Sequence, residues 1–133
     1  VKDAWRVFAQ GAARRDADWI RHAKQFFDTE IAFEGARVAI VAGAKRAIAM
    51  RARDERDLRD ALAAPNAADN GLYDLAERRC ESVWLVEREG PSDRAALLLA
   101  AIVASVCLGP ILGDAPRELF GVRTAREKLV SLA

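Results

Sequence analysis

From Ala95 to Gly113 the chain carries no charge, and Ser92–Gly113, SDRAALLLAAIVASVCLGPILG, is its most apolar stretch. A helix this apolar all round must be covered on every side, by protein or by lipid. Ala95–Gly113 approaches the roughly 20 residues that cross a bilayer. Pro110 lacks an amide hydrogen and clashes with the preceding turn, so regular helix ends near Leu108 or Gly109. Counted from Asp93, that leaves roughly 16 residues, or about 24 Å, which is short for a span. The start is also written as a soluble helix: Pro91, a Ser92 N-cap, and Asp93 against the positive end of the dipole. The stretch predicts a buried core helix over about 93–108, with a membrane span disfavoured and a cytoplasmic location expected.

The rest of the chain has to supply the cover. At 133 residues it is long enough to bury a core without disulfides or metals, and one domain over 1–133 is expected. The two cysteines, Cys80 and Cys107, fall on apolar sides of expected helices and belong to no CxxC pair. They read as buried thiols in a reducing compartment. A formal net charge of +1 leaves no global field to attract nucleic acid or anionic lipid.

No strand-like alternation runs for a useful length, so the periodicity predicts an all-α bundle of five or six helices. Trp5, Phe8, Ala9 and Ala12 share one face of a first helical segment. From Asp16 the pattern stays helical to about Ala64, as one long helix or as two broken near 28–35. Its apolar stripe shifts beyond Thr29, and Ala32, Ala36, Ala39, Gly43 and Ala47 take the former solvent side. Pro65–Gly71 is a loop, and Leu72–Glu89 reads as an amphipathic helix. A short helix is expected before Phe120, and Thr124 with Glu127 forms a capping box for a last helix over Ala125–Leu132.

Catalytic parts are missing. His22 is the only histidine, there is no HExxH, and no glycine-rich phosphate loop is present. Neither a metal centre nor a cofactor is expected, and the chain reads as a non-enzyme. Glu30 and Glu34 share a helical face and could hold a cation or a ligand, with Arg37 placed to neutralise them. Arg51, Arg53, Arg56 and Arg59 could contact phosphates, but acids within one turn cancel much of their field.

A long helix with two apolar faces satisfies both more easily in a dimer than in a small monomer. The reading that follows is a non-catalytic association module, a homodimer or a partner of another protein. Its expected interface residues are Trp19, Phe26, Phe33 and Ile40 at heptad spacing, with Leu58 and Leu62 further along. The alternatives are a nucleic-acid-associated regulator using 45–59, and a bundle holding an apolar ligand or metal beside Glu30 and Glu34.

Overall fold

The computed structural model describes residues 4–10, 15–35, 37–41, 48–52, 54–63, 71–87, 94–114 and 117–132. In chain order the elements are β1 (Ala4–Gln10), α1 (Asp16–Phe27), β2 (Ile31–Glu34), β3 (Arg37–Ile40), β4 (Ile48–Ala52) and α2 (Glu55–Leu62). There follow α3 (Gly71–Arg79), β5 (Cys80–Glu87), α4 (Arg94–Cys107), β6 (Ile111–Asp114), β7 (Arg117–Phe120) and α5 (Val122–Ser131). The fold is mixed α/β, not the all-α bundle that the periodicity suggests.

An antiparallel five-stranded sheet in the order β4-β5-β1-β6-β7 forms the middle layer, and β2 and β3 make a separate hairpin. Trp5, Val7, Trp84, Val86, Ile111 and Phe120 line one sheet face, which is covered by α1, α4, α5 and the hairpin. Phe8, Val83, Leu112 and Leu119 line the other, against Ala61 of α2 and Ala76 of α3. A central strand covered on both sides has no polar face. Its run Trp5, Val7, Phe8, Ala9 therefore imitates the i, i+3, i+4 spacing of a helix. The same holds for β5, so that the segment expected as a helix over Leu72–Glu89 is a helix only to Arg79.

Of the segment expected to be helical over 16–64, whole or broken near 28–35, only α1 and α2 are helical among the described residues, and the break falls at Asp28. α1 ends at Phe27, where Asp28 adopts a left-handed conformation and its amide donates back to Lys24. The chain then turns into the hairpin, in which Ile31 faces Ile40, Phe33 faces Val38 and Glu34 faces Arg37. Gly35 stands at the first turn position with a positive φ of 62°, where a side chain is disfavoured. The spacing that suggested a helical Glu34–Arg37 pair is thus the spacing of a tight hairpin. β4 and α2 follow, and the segment expected as a helix before Phe120 is the β6–β7 pair.

α4 is the apolar helix, buried from Ala96 through Cys107 except for partial exposure at Leu98 and Ser105. It packs across β1, β5 and β6 and against α5 and α1. No helix among the described residues is long and apolar enough to cross a membrane. α5 starts at Val122 with Gly121 as its N-cap, earlier than the Thr124 box implies. Pro65–Asn70, the Pro91–Asp93 helix start, and Ala36, Gly43 and Ala47 of the small-residue stripe lie outside the described residues. Ala32 and Ala39 sit opposite each other in the hairpin.

Candidate functional site

A cleft of about 740 Å³ opens where the C-terminal end of α1, the base of the β2–β3 hairpin and the first turns of α4 meet. Its walls are Lys24, Phe27, Asp28, Thr29, Glu30, Ile40, Arg94, Ala95 and Leu98. Local sequence explains the shape. The left-handed Asp28 ends α1, and Thr29 fixes the exit through its amide to the Ala23 carbonyl and its hydroxyl to the Phe27 carbonyl, at 3.2 and 2.8 Å. Val41 donates its amide to the Glu30 carbonyl at 3.0 Å, so the hairpin closes directly beside the helix end. Ile40 is buried at the bottom of this corner, and Phe27, Ala95 and Leu98 are half-buried around it.

Four charged groups surround that apolar floor. Lys24 Nζ, in the last turn of α1, lies 3.4 Å from Oδ1 of Asp28, the residue that ends the helix. Glu30 and Arg94 come from different elements, and among the described residues neither side chain has a hydrogen-bond or ion-pair partner. The lining is balanced in charge, with apolar and ionic groups side by side. Cavities of roughly 300–1,000 Å³ with a few convergent polar groups are the size class that takes small molecules.

The residues singled out from sequence are dispersed. Of the Glu30, Glu34 and Arg37 group only Glu30 reaches the cleft; Glu34 and Arg37 are exposed at the hairpin tip. Among the described residues no cluster of three His, Cys, Asp or Glu side chains could hold a metal. Trp19 is buried, edge-on to Phe33 at 5.5 Å and tilted against Trp84 at 5.1 Å. Ile40 is buried as well, Phe33 and Leu58 are half-buried, and Phe26 and Leu62 are exposed. Trp19, Phe26, Phe33 and Ile40 therefore do not form one heptad stripe, since they are divided between α1, β2 and β3. Arg56 and Arg59 are exposed on α2, while Arg53 and the side chain of Arg51 lie outside the described residues.

Sequence reasoning missed Arg94 and Lys24, while the break near Asp28 was one of its two alternatives for the long helix. The available signal was IAFEGARVAI, two alternating runs about a glycine, which is a hairpin pattern. It also left His22 alone, whereas the fold brings its Nε2 to 2.7 Å from Ser105 Oγ. That pair resembles a nucleophile and its base. Ser105, however, sits in the last turn of α4, where helix carbonyls present negative charge. A developing oxyanion needs donors aimed at it, and here it would meet the wrong end of the dipole. The pair instead ties α1 to α4, with the Phe26 ring tilted against the imidazole at 4.7 Å. Cys80 and Cys107 are buried thiols not joined in a disulfide, one in each of the two cores. Comparison with protein-family models, with curated proteins and with solved structures gave no match to this chain.

Proposed function

We propose that the chain is a binding domain for a small amphiphilic molecule, held in the cleft between α1, the hairpin base and α4. One observation carries this reading. A cleft of about 740 Å³ has a floor of Phe27, Ile40, Ala95 and Leu98, and its rim includes Glu30 and Arg94, whose charges the described residues leave uncompensated. Apolar burial supplies affinity in such a site and the few ionic groups supply orientation. The test is a thermal-shift and ligand-observed NMR screen of small organic acids, amines and zwitterions, each bearing an apolar group. At least one class should bind the native chain and fail to bind Ala95→Phe, which fills the cleft. Circular dichroism checks that the variant is folded. A screen with no binder, or binding that Ala95→Phe leaves unchanged, would falsify the reading.

Association remains the second reading, and exposure of large apolar side chains supports it. Phe26 is 52% exposed and Val130 is 75% exposed. They belong to elements in direct contact: Arg126, one turn before Val130, donates to the Phe26 carbonyl at 2.8 Å and lies over the Phe27 ring. Large exposed apolar side chains on adjoining elements suit a protein contact. Light scattering behind a sizing column should give a dimer that Phe26→Asp converts to monomer. A native monomer at tens of micromolar, with no partner-dependent change, rules out self-association.

A further inference from the structure

Resting on the reading of the cleft as a ligand site, we infer that its ligand is an ammonium–carboxylate zwitterion with an apolar body, of the amino-acid type. Arg94 takes the carboxylate and Glu30 takes the ammonium.

Charge balance within the cleft selects this class of ligand. Lys24 and Asp28 are within ion-pair distance and largely neutralise each other. That leaves one cation and one anion, Arg94 at the start of α4 and Glu30 at the base of the hairpin, without a partner among the described residues. A phosphate or another dianion would be attracted by Arg94 but would meet the carboxylates of Asp28 and Glu30. A divalent cation would face Lys24 and Arg94. An uncharged apolar solute would cover the floor while stripping water from two ions and returning nothing to them. A zwitterion satisfies both, with charge-assisted hydrogen bonds at each end, and the planar guanidinium fork matches a carboxylate in particular. The apolar body then lies on Phe27, Ile40 and Leu98.

Isothermal titration calorimetry at low ionic strength tests this with L-phenylalanine, its amide, which lacks the carboxylate, and N-acetyl-phenylalanine, which lacks the ammonium. The expected result is that L-phenylalanine binds, and that each blocked analogue binds about tenfold or more weakly. Arg94→Gln should weaken L-phenylalanine by a similar factor and leave the amide unchanged. Glu30→Gln should weaken it likewise and leave the N-acetyl compound unchanged. Both residues are exposed, so neither change threatens the fold. Equal binding of the three compounds, or no effect of either substitution, overturns the zwitterion assignment while the cleft stands as a ligand site. No binding of L-phenylalanine at millimolar concentration overturns it too. The cleft reading falls separately, when the wider screen finds no ligand sensitive to Ala95→Phe.

Discussion

Two adjacent residues at the end of α4 are tuned in opposite ways. Leu108 holds a φ of 55° and is exposed, a conformation that costs a leucine roughly 1–2 kcal/mol relative to ordinary helix. Gly109 then passes so close to β1 that a Cβ would lie 1.7 Å from the Phe8 carbonyl oxygen. The approach is fixed by the Phe8 amide donating to Pro110 at 2.9 Å and by Gln10 Nε2 donating to Leu108 at 2.6 Å. Gly109→Ala should therefore destabilise the chain by about 3 kcal/mol, since backbone and not a flexible tip has to move. Leu108→Gly should stabilise it by about 1 kcal/mol. Urea denaturation of the two variants checks both, and equal effects would discredit this account of the corner. Pro110 was visible in the sequence as the stop of the apolar helix. The demand for glycine at 109 was not, because it comes from a strand about a hundred residues away in sequence.

Elements are held to the sheet by unlike devices. α2 is anchored through Asp57, which is 1% exposed and lies 3.3 Å from Arg6 Nε of β1. Asp57 also closes a reciprocal cap, its carboxylate accepting the Asp54 amide while Asp54 accepts the Asp57 amide. Asp57→Asn keeps an acceptor for the cap and removes the counter-charge of Arg6. It should cost about 2–4 kcal/mol by chemical denaturation, near the range for halving a buried pair. α1 is stabilised at its exposed start by Asp18. The Arg15 amide and then the Arg21 guanidinium hydrogen-bond its carboxyl and hold it below the ordinary 3.8. A depressed carboxylate stabilises the fold above that value, and the contribution is lost as pH falls through the lower native one. Melting temperatures should show native chain above Asp18→Asn at neutral pH, with the gap closing in acid; a gap that widens in acid refutes the assignment. The helices α1, α4 and α5 were legible because each has one partner layer or a continuous apolar surface. β1 and β5 were not, for a strand buried on both faces loses its alternation. β5 is further disguised by a bulge: Gln10 pairs with Cys80 and Ala9 with Ser82, so Glu81 is passed over. Cys80 is thereby turned to the α2–α3 side, though its parity matches Trp84 on the other. At the cleft, Glu30 was singled out, but for a helical face that does not exist.

At the scale of the whole molecule, one sheet separates two cores, and α4 supplies more buried residues on its side than any other element. The apolar stretch was rightly the part needing most cover; what covers it is a sheet and a hairpin as much as other helices. The order β4-β5-β1-β6-β7 places the first strand of the chain at the centre. Its partners lie at 80–87 on one side and 111–112 on the other. Pairings so distant in sequence should put refolding in the millisecond-to-second range, measurable by tryptophan fluorescence in stopped flow because Trp5, Trp19 and Trp84 all become buried. Microsecond refolding would contradict this. During synthesis at about 5–20 residues per second, the earliest strand leaves the ribosome seconds before either neighbour exists. Trp5, Val7 and Phe8 stay uncovered through that interval, so the nascent chain is most open to misassociation until β5 has emerged.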